Sequence, residues 1–211
     1  VRLALPKAER RPFVSKPPLI LFIVAMILVP ALTIASLGRG KILGLPSDLG
    51  NIASRLAIGL VWPLMASLGE EFGWRGLLLP LWSRDGSFWK PAIGVGLLWG
   101  LWHLPSDWIG LKRMGWWFVP QYLLVGLLNL TLLSVIMAAI QRRGRHDVRL
   151  AILFHYSITA SAILLSPQGR IEPETAVLLS CVAQAVMLLG CAAFLAVLKP
   201  WKDAKGDAGR A

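Results

Sequence analysis

Acidic side chains are scarce in this chain. Eleven Asp and Glu stand against 22 Lys and Arg in 211 residues, a formal net charge of +11. Cysteine is rarer still. Cys181 and Cys191 are the only two, and both fall in one expected helix, where ten residues of rise separate them by about 15 Å. A disulfide cannot bridge that distance, and two such cysteines carry no metal or redox signal. There are three histidines, His103, His146 and His155, and none stands in a His-Glu-x-x-His pattern, so the helical zinc-protease signature is missing. No internal repeat at a solenoid period is present. The first apolar run is too long for a signal-peptide core and lacks a clear small-residue cleavage site, so no cleavable signal peptide is expected. The periodic apolar stripes of a soluble domain are also missing.

What replaces them is long unbroken apolar sequence. The chain is 56% hydrophobic with a mean hydropathy of +0.64, and runs of this length read as membrane spans. Ten tryptophans, many near the ends of those runs, fit interfacial belts. The expected fold is therefore all-α and polytopic, with about six spans: Leu19–Leu37, Ile52–Trp82, Pro91–His103, Trp116–Ile140, Leu150–Ser166 and Thr175–Leu198. One membrane domain, residues 19–198, is flanked by a basic tail, 1–18, and a polar tail, 199–211. The second run exceeds what a span needs, so it must tilt, kink at Pro63, or break near Gly69 to Gly76. The third is expected to stop at Leu104-Pro105, leaving Ser106–Gly115 as a loop with Asp107 in a loop or capping role. Gln141–Arg149 reads as a basic loop.

Six spans place both tails on one side. That side carries fifteen of the 22 Lys and Arg, the other carries six, and Arg75 lies within a span. The bias predicts a multi-pass protein with both tails cytoplasmic. It also assigns the basic residues to orientation and anionic lipid, not to nucleic acid.

Glu70 and Glu71 are the acids that matter. They sit in Gly69-Glu70-Glu71-Phe72-Gly73-Trp74-Arg75-Gly76 between two apolar runs, whereas the other nine acids fall in tails, loops or helix ends. Ionised groups at membrane depth cost several kcal/mol unless paired or hydrated and are usually functional. Glu71 and Arg75 are four apart on a helix and suit an ion pair; Glu70 faces elsewhere. His103 has Trp99 on its face at i−4, and His155 has Thr159 on its face at i+4. By helical rise, Glu70 and His103 each lie about 18 Å from the cytoplasmic end of their spans and His155 about 8 Å, which permits convergence. A lone membrane histidine is otherwise an interhelical hydrogen-bonder. Gly69, Gly73 and Gly76 read as small residues for close helix packing, and Gln121 and Asn129 as interhelical polar contacts.

Three motifs stand in order on separate spans: Glu70-Glu71-x-x-x-Arg75, Trp99-x-x-x-His103 followed by Leu-Pro, and His155-x-x-x-Thr159. Together they resemble the CPBP family, which groups CAAX prenyl endoproteases with bacteriocin-processing and Abi proteins. Two positions depart from the family pattern: Trp99 stands where the family has Phe, and Thr159 where it usually has Asn. The resemblance implies an N-terminally shortened form of a fold with about eight spans. It implies a glutamate-dependent intramembrane endopeptidase acting on a membrane-associated peptide or protein, without a cofactor. In that scheme Glu70 is the base, His103 helps to hold the water, and His155 and Thr159 stabilise the oxyanion. Glu71 and Arg75 support the site, and Trp99 walls it. Two alternatives remain open at this point: zinc held by Glu70, His103 and His155, and a non-catalytic immunity or scaffold protein of the same fold.

Overall fold

The computed structural model describes residues 49–164 and 172–200. The first expected span, Leu19–Leu37, and the tail residues 1–18 and 201–211 lie outside the described residues. Helix α1, Leu49–Gly73, is 25 residues long and passes into a π turn at Trp74–Leu78. It ends in the short α2, Leu79–Trp82. Helix α3 is Trp89–Leu111. A 3₁₀ segment, Lys112–Trp117, the short α4, Phe118–Gln121, and a second π segment, Tyr122–Leu128, lead into α5, Asn129–Arg143. Helices α6, Val148–Leu164, and α7, Pro173–Leu198, complete the described chain. No strand is present among the described residues, in line with the all-α expectation.

Lys112–Arg143 and Pro173–Leu198 are long and apolar enough to cross a membrane. The outer surface agrees. Val61, Trp62, Ile109, Leu189 and Val197 are each more than 60% exposed, and such a broad apolar surface suits hydrocarbon rather than water. At the start of the expected fourth span, Trp116 is 93% exposed beside exposed Lys112 and Arg113. That is the composition of a membrane–water boundary.

Two helix pairs build the interior: α1 packs on α6, and α3 packs on α5. The second contact is close because of two glycines. A Cβ on Gly96 would come within 2.6 Å of the Thr131 Cα, and one on Gly100 within 2.8 Å of the Gly126 carbonyl oxygen. Small residues allow such backbone approach where no hydrophobic effect drives helices together. Ser134 Oγ donates to the Ala92 carbonyl at 2.9 Å and Tyr122 Oη to the Gly100 carbonyl at 3.0 Å, so polar groups reinforce the same seam. Gln121 serves as expected, accepting from Ser180 Oγ on α7 at 3.1 Å. Cys181 and Cys191 are both free and share α7.

Three sequence expectations change. Pro105 does not end the third helix; α3 runs on to Leu111 with Pro105 inside it. Its missing N–H leaves one helical carbonyl unbonded, a smaller cost than unwinding backbone in an apolar setting. Asp107 consequently lies on the helix and not in a loop, and its Oδ2 is only 2.8 Å from where a Cβ on Gly126 would stand. The expected basic loop is also shorter, because Gln141–Arg143 finish α5 and Val148 begins α6. There Arg143 donates to the carbonyls of Leu198 at 2.6 Å and Lys199 at 3.2 Å, capping the C-terminus of α7.

Candidate active site

The Glu70–Glu71 pair sits in the last turn of α1. Consecutive helical residues point about 100° apart, so the two carboxylates enter different surroundings. Glu71 turns toward α6 and is fully buried. Its Oε1 accepts from Arg75 Nη1 at 2.9 Å and from His155 Nδ1 at 2.8 Å. Arg75 is likewise fully buried, so this is the i, i+4 ion pair anticipated from the sequence, extended by an imidazole. Glu71 Oε2 and Arg75 Nε and Nη2 are buried with no hydrogen-bond partner among the described residues.

Glu70 is only half-buried. Its Oε2 accepts from Trp99 Nε1 on α3 at 2.6 Å, a charge-assisted bond and the short kind. Its other side opens on a groove of about 600 Å³ whose lining includes Trp62, Met65, Gly69, Gly73, Trp74 and Trp102. Gly69 and Gly73 depart from their expected role. A Cβ added at either meets nothing within 4 Å, so among the described residues they form open floor rather than a helix contact. Gly76 does pack: a Cβ added there would stand 3.7 Å from Val148 Cγ2 of α6.

Trp99 joins the two sides. It is 1% exposed. The Arg75 guanidinium carbon lies 4.3 Å from its ring centroid, a cation–π contact in a desolvated place. The rings of His155 and His103 meet it edge-on at 5.1 and 5.8 Å. The two imidazoles, expected at different depths, therefore both flank one indole. Trp102, next to His103, stands 6.3 Å from Trp74 across the groove wall.

The partners fix the tautomers. A carbonyl can only accept, so His103 Nδ1, 2.9 Å from the Trp99 carbonyl oxygen, carries a proton and donates. His155 Nδ1 donates to the Glu71 carboxylate. Each ring thus keeps Nε2 for other chemistry. Thr159 is half-buried one turn beyond His155 on α6 and takes no part in these contacts. Among the described residues no group of three His, Cys, Asp or Glu side chains is placed to hold a metal ion, and His155 Nδ1 is engaged with Glu71.

One residue of the site was not singled out in the sequence. Gln141, at the end of α5 and 2% exposed, donates from Nε2 to the Arg75 carbonyl at 3.0 Å. The available signal was a glutamine just inside an apolar helix, which needs partners if buried.

Residues 52–161 match the family described as type II CAAX prenyl endopeptidase Rce1-like. CAAX prenyl protease 2 of Methanococcus maripaludis is 31% identical over 129 residues, 59% of this chain and 47% of that protein, so the chain spans about half the length of the curated relative it matches. No solved structure matches significantly. The matched stretch includes all three motifs and every side chain of the network around Trp99, and by that match the chain belongs to the Rce1-like family of type II CAAX prenyl endopeptidases within the CPBP group.

Proposed function

We propose that this protein is an intramembrane endopeptidase that cleaves a membrane-associated peptide or protein, with Glu70 as the general base. The observation that carries the reading is the unequal treatment of adjacent carboxylates. Glu71 is consumed by Arg75 and His155, while Glu70 has, among the described residues, the donor Trp99 and a face on the groove. A carboxylate at membrane depth that is held and yet open is placed for proton transfer.

In this scheme a substrate segment lies in the groove beside Glu70. Glu70 takes a proton from water, the hydroxide adds to the scissile carbonyl carbon, and the carbonyl electrons move onto its oxygen. The same carboxyl then gives its proton to the amide nitrogen as the C–N bond breaks, leaving an acid and an amine. His103 Nε2 has a lone pair available to orient the water. His155 and Thr159 lie on the oxyanion side. To donate there, His155 must also carry a proton on Nε2, while its Nδ1–H on the Glu71 carboxylate orients the ring, as a buried acid does for the histidine of a hydrolytic triad. The scheme routes no step through a metal. The protein would act in the bacterial inner membrane with its tails cytoplasmic, as its basic bias suggests.

The test is Glu70→Gln. Membrane-fraction proteomics comparing wild type with this variant identifies the substrate, and purified protein with a membrane-anchored peptide of that sequence gives the rate. Cleavage is expected to fall about 10²–10⁴-fold with melting unchanged, and metal content by elemental analysis is expected to be substoichiometric in fully active protein. Retained cleavage in Glu70→Gln would reject the assignment, and stoichiometric zinc lost together with activity would replace it with metal chemistry.

A further inference from the structure

The π turn after the double-glutamate motif has an identifiable cause and an unusual partner. In it the Leu79 N–H bonds back to the Trp74 carbonyl, five residues away. The next bond in that register would run from residue 80 to the Arg75 carbonyl, but residue 80 is proline and has no N–H. Leu79, the donor an ordinary α-helical register would use, is already committed to Trp74. The Arg75 carbonyl is therefore orphaned in a buried place, and a buried carbonyl left without a donor is costly. Gln141 Nε2, from the distant end of α5, fills the gap at 3.0 Å.

This matters because of what Arg75 touches. Its guanidinium is held by Glu71 and lies over Trp99; Glu71 bonds His155, and Trp99 bonds Glu70. Both carboxylates thus depend on where the Arg75 backbone sits. We infer that Gln141 is a positioning residue: by replacing the N–H that Pro80 lacks, it holds the π turn that aims Arg75, and through Arg75 the two glutamates and His155. The consequence for catalysis rests on the endopeptidase reading; the consequence for His155 does not.

The pairing of Gln141 with Pro80 supplies a specific test. Gln141→Met keeps the side chain's length and removes the donor. Pro80→Ala puts an N–H back where the π register needs it. Two readouts are taken on the full chain in detergent or nanodiscs. One is cleavage of the peptide identified through Glu70→Gln. The other is the imidazole ¹⁵N spectrum, which is tractable because the chain has three histidines. Gln141→Met is expected to lower kcat about tenfold, with less than twofold change in KM, and to shift the His155 signals away from the Nδ1–H form. An unmet buried carbonyl is worth about that factor. Pro80→Ala alone should resemble wild type, and the double variant should return to within about threefold of it in kcat, with His155 restored. If Gln141→Met does not accumulate in membranes, recovery of folded protein by Pro80→Ala is the corresponding result. The inference is overturned if Gln141→Met leaves the His155 signals unchanged, or if Pro80→Ala fails to rescue them or to rescue accumulation. If wild type cleaves nothing while the spectra follow the cycle, the endopeptidase reading fails and the positioning role stands.

Discussion

Glu70 and Glu71 are neighbours on one helix with the same side chain, yet they occupy opposite kinds of site. Glu71 faces the α1–α6 contact, is fully buried and is bonded to an arginine and a histidine. Glu70 faces the groove, is half-buried and, among the described residues, accepts from the indole of Trp99. On the proposed endopeptidase reading, this contrast is what keeps one carboxylate available for reaction. The neighbour absorbs the charge of the buried arginine, so the arginine fixes the geometry without neutralising the working acid by direct contact. A buried pair of this sort adds little net stability compared with apolar packing, but it is expensive to break.

That asymmetry gives the largest expected effect. Glu71→Ala leaves Arg75 buried without its carboxylate and should cost about 3–5 kcal/mol, read as a large fall in melting temperature or in folded yield in detergent. Glu70→Gln, one residue away, should shift melting by less than about 0.5 kcal/mol while it removes cleavage. Equal destabilisation by the two would mean that the acids share one environment, and the comparison would collapse.

A smaller effect is expected at the bridge. Trp99→Phe retains a ring beneath Arg75 and beside both histidines but removes the Nε1 donor to Glu70. A hydrogen bond to a charged acceptor contributes about 1.5–3 kcal/mol, so kcat/KM should fall roughly tenfold to a hundredfold with a modest change in melting. If Trp99→Phe unfolds the protein as Glu71→Ala does, then Trp99 acts through packing and not through its hold on Glu70.

The sequence made the side chains of the candidate site visible more readily than their partners. Helical type, the Glu71–Arg75 pair and the involvement of Trp99, His103 and His155 follow from spacing and from the rarity of charge in apolar runs. Which acid His155 would meet did not follow, because it depends on the rotation of α6 against α1, and one turn of uncertainty at a span end is enough to exchange Glu70 for Glu71. Pro105 misled for a related reason: proline ends helices in water, where the freed backbone is solvated, but that alternative is absent in an apolar setting, and α3 continues to Leu111. Gln141 was obscured because its partner is a backbone carbonyl whose vacancy arises from Pro80, 61 positions earlier in the sequence, and becomes apparent only when the π register is seen.

The smallest effect concerns glycines and separates the two faces of the molecule most directly. Gly96 lies in the α3–α5 seam, where an added Cβ would be 2.6 Å from the Thr131 Cα; Gly73 lies on the groove floor, where among the described residues it would meet nothing within 4 Å. Gly96→Ala should therefore destabilise by about 1–3 kcal/mol through overpacking. Gly73→Ala should be neutral or gain up to about 1 kcal/mol, since alanine is the better helix former and no neighbour must move. Cleavage should survive Gly73→Ala and fall with Gly73→Leu, whose side chain reaches into the space beside Glu70, with the loss appearing chiefly in KM. Melting curves and rates for the three variants decide the matter. Were Gly73→Ala as damaging as Gly96→Ala, the outer face of α1 would be packed against protein in the membrane, and the groove could not be the route by which a substrate reaches Glu70.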